Sequence, residues 1–180
     1  TDMSNKACDI LFKKLNESEK PVFGLATGST PNGLYECLIN KYKAKKASFQ
    51  HAITFNLDEY VGYSKTHPKS YHYYMSERLF DHIDIPSHAA HVPNGDALDL
   101  EKECSDYEQL IKEAGGIDIQ LLGLGANGHI GFNEPGTPFD SRTEVVNLAD
   151  STRESNARFF ASKAEVPKKA ISMGIGTIME

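Results

Sequence analysis

The 180-residue length suits one domain with a real core, and 39% hydrophobic with 24% charged residues excludes disordered and fibrous classes. A formal net charge of -6 speaks against chain-wide attraction to nucleic acid or anionic membrane and makes a small molecule the better partner. No stretch reaches the roughly 18 apolar residues that span a bilayer and no signal peptide opens the chain, so a soluble protein of the cytoplasm is expected. Cys8, Cys37 and Cys104 are widely spaced and lack the CxxC or Cys/His clusters of zinc and disulfide-shuttling sites. Reduced thiols are expected, with Cys37 packed inside a helix.

Residues 3–15 carry Ala7, Ile10, Leu11 and Leu15 at helical spacing and predict an amphipathic helix that fades into a polar run at 16–20. Residues 21–26 predict a strand through Val22, Phe23 and Leu25, and the turn-rich 27–31 leads into a helix over 32–42. A second strand is expected at 51–56, through Ile53 and Phe55, and an aromatic-rich helix at 71–82. Residues 98–114 predict a helix ended by Gly115 and Gly116, and the apolar run 117–122 suits a buried parallel strand. A helix over 152–161, a strand over 170–173 and the first residues of a helix over 174–180 close the pattern. This alternation selects one α/β domain, 1–180, with a doubly wound, mostly parallel sheet, helices on both faces and a crevice at the carboxyl ends of the strands.

Chemistry gathers at three such strand ends. After the first strand, Thr27, Gly28, Ser29 and Thr30 combine hydroxyls, a flexible backbone and the amides of a helix N-terminus, which suits a phosphate. An ordinary helix cap fits those residues equally well. There is no GxxxxGK[ST] or GxGxxG pattern, so a nucleotide is not indicated.

After the second strand come Asp58 and Glu59. An isolated Asp-Glu pair is usually a solvated loop, but at the carboxyl edge of a sheet a desolvated Asp58 suits proton abstraction beside a carbonyl. After the strand at 117–122, glycines at 123, 125, 128 and 131 build an irregular loop in which Asn127, His129 and Glu134 can converge. A histidine oriented and charged by a neighbouring carboxylate such as Glu134 makes a general acid/base.

Together, ATGSTP (26–31), FNLDEYVG (55–62), HPKSYHYYM (67–75) and GLGANGHIGFNEP (123–135) resemble the glucosamine-6-phosphate deaminase family, also called glucosamine-6-phosphate isomerases. The resemblance spans almost the whole chain, although the glycine framework alone also fits the related 6-phosphogluconolactonases. It implies a Rossmann-like fold that converts glucosamine 6-phosphate and water to fructose 6-phosphate and ammonium, without a nicotinamide cofactor or metal. It also implies that Asp58 moves a proton between C2 and C1 of the open sugar. His129 is implied to open the ring, oriented by Glu134 and Asn127, the last standing where some members carry Asp. Thr27 to Thr30 match the family's phosphate loop and Arg158 a phosphate-binding arginine; without the resemblance Arg158 reads as a solvated helix charge.

Family members begin with a short strand and continue beyond position 180 with another strand and helix, including a phosphate-holding lysine. An incomplete, poorly active domain is therefore expected. Glu144 and Val146 follow Ser141-Arg142-Thr143 where allosteric members place basic residues, so a non-allosteric enzyme is expected, with homo-oligomerisation left open. A 6-phosphogluconolactonase-like hydrolase and a non-catalytic sugar-phosphate sensor are the competing readings.

Overall fold

The computed structural model describes residues 2–125 and 127–180; Thr1, and Ala126 within the glycine-rich motif, lie outside the described residues. Apolar periodicity builds the first layer. α1 (Asp2–Glu17) buries Cys8, Leu11 and Leu15 along one stripe, and α2 (Asn32–Lys43) buries Leu34, Tyr35, Leu38 and Ile39. β1 (Val22–Leu25) is buried at every position, as befits a central strand of a parallel sheet. β2 (Ile53–Asn56) runs parallel to it with Leu25 beside Asn56, and β5 (Ile119–Gln120) flanks its other edge. With β4 (Ala90–His91) these make a four-stranded sheet in the order β4-β2-β1-β5.

Phe23 and Leu25 pack against α1, α2 and α3 (Tyr71–Arg78), whose Met75 is fully buried. Val22 and Phe55 pack instead with Tyr107 and Ile111 of α4 (Leu100–Glu113), with Met173, and with Ile178 of α6 (Ile175–Met179). Helices thus cover both faces of the parallel sheet, as the β/α alternation predicts. α4 starts at Asp99, whose carboxylate accepts the Lys102 N–H at 3.0 Å, and stops at Gly115 and Gly116, both at positive φ.

A second sheet is not legible in that alternation. The strand expected at 170–173 is β7 (Lys169–Ser172), and it pairs antiparallel with β3 (Asp58–Tyr60) and β6 (Glu144–Asn147) in a three-stranded sheet of its own. Leu57 is the crossing point. Its amide donates to Leu25 O of the parallel sheet at 2.9 Å, while its carbonyl accepts the Met173 N–H at 2.8 Å. The chain from β2 to β3 therefore runs through two sheets, and residues 58–60 form a buried strand where a strand end was expected.

Other boundaries differ. α3 gives way to a 3-10 turn at Phe80–His82, and α5 (Asp150–Asn156), which begins two residues before the predicted 152, to one at Ala157–Phe159, where helices over 71–82 and 152–161 are predicted. The expectation of reduced thiols is corrected for two cysteines. α1 and α2 pack against each other with Cys8 and Cys37 only 6.2 Å apart at Cα, within disulfide range, and the two are bonded. Cys104 is free and buried.

Candidate active site

The carboxyl ends of β1 and β2, the loop after β5, and α5 enclose a cleft of about 660 Å³. Its floor at the β1 end is the segment Ala26 to Thr30. Gly28 sits at φ +98°, a conformation that side chains rarely adopt. Two tyrosines pin the segment: the Tyr35 hydroxyl donates to Ala26 O, and the Tyr74 hydroxyl lies 2.6 Å from both Gly28 O and Asn32 Oδ1. α2 begins behind Pro31 without a side-chain cap. The Ser29 and Thr30 hydroxyls are therefore not spent on capping, which favours the anion cradle over the ordinary cap.

At the β2 end the adjacent carboxylates separate, because successive side chains of β3 point to opposite faces. Asp58 lines the cleft at 7% exposure. Burial, and after it the neighbouring Glu59, pushes its pKa up to about 8. Glu59 turns away and accepts the backbone N–H groups of Tyr60 and Tyr71 at 2.8 Å and of His72 at 2.9 Å, capping α3. Burial raises its pKa to about 7, with those three N–H groups working in the opposite direction. The solvated-loop alternative for this pair is excluded by their burial.

The third wall is the glycine-rich loop with Asn127 and His129. Gly128 and Gly131 hold positive φ, and a Cβ on Gly125 would lie 2.2 Å from the His129 ring, so the histidine nests against bare backbone. A direct His129–Glu134 pair, expected from the sequence, is not what forms. Glu134 instead accepts the Asn127 Nδ2–H at 2.8 Å through one oxygen and the Thr152 hydroxyl at 2.5 Å through the other. Asn127 Oδ1 then meets His129 Nδ1 at 2.7 Å.

A carboxylate can only accept, so the Asn127 amide must turn its NH₂ to Glu134 and its oxygen to His129. His129 is thereby fixed as the Nδ1–H tautomer, with Nε2 free to take or give a proton. The Thr152 hydrogen bond, with help from Asn127 and the nearby His129, holds the Glu134 pKa below the usual carboxylate range against the opposing effect of burial.

Arg158 lies on the fourth wall, exposed, with its guanidinium 4.7 Å from the centre of the Phe159 ring. Every site residue expected from the sequence except Glu134 lines this one cleft, and Glu134 stands directly behind Asn127. Sequence reasoning missed Tyr71, whose ring stacks on Phe132 in the cleft wall, and Thr152, Ser155 and Asn156 of α5. Among the described residues, no group of three or more His, Cys, Asp and Glu is arranged to hold a metal ion. A larger groove of about 1130 Å³ borders α4 and β6, where Arg142 pairs with Glu108 and Glu180.

The family model for glucosamine-6-phosphate isomerases and 6-phosphogluconolactonase matches residues 1–172. A glucosamine-6-phosphate deaminase of Shouchella clausii is 59% identical over 179 residues, 99% of this chain and 72% of that protein. Another, of Oceanobacillus iheyensis, is 57% identical over 177 residues, covering 98% of this chain and 71% of its own. The solved structure of a monomeric glucosamine-6-phosphate deaminase superposes with a TM-score of 0.96 at 53% identity, covering 98% of this chain and 73% of that one. A 6-phosphogluconolactonase of Thermotoga maritima shares the fold alone, with a TM-score of 0.71 at 23% identity over 96% of this chain and 71% of its own. The chain belongs to the family of glucosamine-6-phosphate isomerases and 6-phosphogluconolactonases.

Proposed function

We propose that this chain is a glucosamine-6-phosphate deaminase, converting glucosamine 6-phosphate and water to fructose 6-phosphate and ammonium, with Asp58 and His129 as its proton-transfer groups. One observation carries the assignment of roles: a buried carboxylate, a tautomer-fixed histidine and a hydroxyl-rich turn face a single sugar-sized cleft. The Thr27 to Thr30 segment and Arg158 anchor the phosphate, the guanidinium supplying a bidentate fork and the turn supplying hydroxyls and amides. His129 Nε2 takes the anomeric hydroxyl proton and returns it to the ring oxygen, which opens the ring to the aldehyde. Glu134, acting through Asn127, stabilises the imidazolium formed on the way.

Ionised Asp58 removes the proton from C2, made acidic by the C1 carbonyl, the C1 oxygen takes a proton given up by the C2 ammonium group, and Asp58 delivers its proton to C1 of the resulting enolamine. The product is a C2 imine, to which water adds; the C–N bond breaks, ammonium leaves and the ketone remains. Each proton-transfer group contributes roughly 10²- to 10⁴-fold, and phosphate anchoring supplies orientation. The cleft-lining residues given these roles come from one copy of the chain. Sugar phosphates do not cross bilayers unaided, which supports a cytoplasmic place of action.

A lactone hydrolase has no carbon acid for Asp58 to deprotonate, and a sensor has no use for a desolvated base. Ammonium release from glucosamine 6-phosphate, measured beside hydrolysis of 6-phosphogluconolactone, separates these readings. Release of ammonium with no lactone turnover is expected, and the reverse result would overturn the proposal.

A further inference from the structure

Thr152 belongs to none of the motifs above, yet it terminates the hydrogen-bonded chain that runs from His129 through Asn127 and Glu134. It is 7% exposed and sits in α5, a helix of 7 residues. A helical Ser or Thr hydroxyl commonly bonds back to the carbonyl one turn earlier, as Ser155 does to Ser151 O at 3.0 Å. Thr152 reaches 18 positions away instead and makes a charge-assisted bond of 2.5 Å to the Glu134 carboxylate. That bond and the one from Asn127 occupy one Glu134 oxygen each, so both ends of the carboxylate are held.

We propose that Thr152 is a positioning residue that couples the seating of α5 to the tautomer of His129. With the hydroxyl in place, Glu134 presents its second oxygen to the Asn127 NH₂, Asn127 Oδ1 is committed to His129 Nδ1–H, and Nε2 faces the cleft as a base. Without it, Glu134 is held by Asn127 alone and can swing away, after which only the His129 backbone N–H that Asn127 Oδ1 accepts at 3.2 Å keeps the sense of the amide, and the imidazole samples both tautomers. The same element carries the rest of its wall: Ser155 and Asn156 of α5 line the cleft, and Arg158 follows in the next turn. α5 is in turn held down by Arg153, whose Nη2 donates to Lys163 O and Val166 O, both at 3.1 Å. A ligand that draws Arg158 inward therefore acts on the element that also orients the histidine. The lowered Glu134 pKa, with Thr152 as its leading cause, agrees with this geometry.

The kinetic consequence rests on the proposed deamination; the tautomer consequence does not. Thr152→Val keeps the shape and removes the donor, while Thr152→Ser keeps the donor. In ammonium-release assays, Thr152→Val is expected to lower kcat by roughly tenfold or more with KM changed less than about threefold, and Thr152→Ser to recover most of the loss. Nitrogen-15 NMR of the His129 ring in the free protein is expected to show Nδ1–H in the parent and in Thr152→Ser, and a tautomer mixture in Thr152→Val. Should Thr152→Val not fold, Thr152→Ala makes the same two measurements.

An unchanged kcat with a single Nδ1–H tautomer in the donor-less variant would overturn the proposal, as would an equal loss in Thr152→Ser. If the parent releases no ammonium, the deamination reading fails while the NMR comparison still decides the role of Thr152.

Discussion

The two carboxylates that serve one cleft, Asp58 on its wall and Glu134 behind Asn127, are tuned in opposite directions by opposite means. Asp58 lies in a buried strand of the second sheet, where loss of water and the adjacent Glu59 push its pKa up to about 8. Glu134 lies in a more open loop, where donated hydrogen bonds hold its pKa down. Two like side chains thus become a base poised near neutrality and a permanent anion, a division of labour that burial alone or hydrogen bonding alone could not produce. The strand side is rigid because backbone pairing fixes it. The loop side is held by side chains, and its geometry is correspondingly easier to break.

Removing the charge on the strand side is the most severe way to break this contrast. Asp58→Asn keeps the shape and deletes the base, and turnover is expected to fall by about 10⁴-fold, the upper end for a single proton-transfer group. The same change is expected to raise the melting temperature at pH 7. With its pKa at about 8, folded Asp58 holds a proton that the unfolded chain releases near pH 4, so across that window the folded state binds more protons and stability falls as pH rises. Asn carries no such penalty. Activity lost with stability unchanged or reduced would show that Asp58 is not desolvated in solution.

On the loop side, Glu134→Gln retains size but replaces one accepting oxygen with a donor. Either Thr152 or Asn127 then faces an NH₂ group, and the sense of the relay is held only by the His129 backbone N–H that Asn127 Oδ1 accepts at 3.2 Å. A loss of about 100-fold in kcat with little change in KM is expected, smaller than for Asp58→Asn because His129 itself remains. Gly125→Ala tests the same wall through packing. Its Cβ would fall 2.2 Å from the imidazole, so the ring must move, and a displaced general base costs tens of fold in kcat while the fold itself persists. If kcat dropped as far as in Glu134→Gln, the ring would have no room to yield.

Legibility in the sequence follows the same divide. The order of strands, turns and helices was readable because periodicity changes at each Gly, Ser or Pro cluster, and the chemical residues stand where those changes occur. That Asp58 and not Glu59 faces the cleft was not readable by pattern, since it depends on residues 58–60 being a strand of a second sheet, whose partner β7 lies more than 100 positions away. β6 pairs only one edge and leaves Glu144 and Asn147 exposed, so its apolar signal is short. Thr152 looks like any polar residue on a short helix; only the fold brings Glu134 to it. The Cys8–Cys37 bond likewise depends on the face that α1 turns to α2, which cysteine spacing does not encode.

The smallest expected effect sharpens the contrast by separating the two causes acting on Asp58. Glu59 does not line the cleft, yet it is the second cause of the raised Asp58 pKa. Because Asp58 must be ionised to act, kcat/KM of the parent is expected to decline as pH falls through about 8. Glu59→Gln removes the neighbouring charge but leaves the burial, so this acid limb should move to lower pH without reaching the ordinary carboxylate range. The variant should also be less stable by about 1–3 kcal/mol, because the amide oxygen can accept from some of Tyr60, Tyr71 and His72 N–H but the NH₂ cannot accept at all. Its instability should be greatest below pH 7. There the parent gains stability as pH falls from about 7, where folded Glu59 takes up a proton before the unfolded chain does, and the variant has no such group. A limb that stays in place in Glu59→Gln would assign the tuning of Asp58 to desolvation alone, and a limb that moves the other way would mean that α3, once its first N–H groups are less firmly held, lets Asp58 sink further from water.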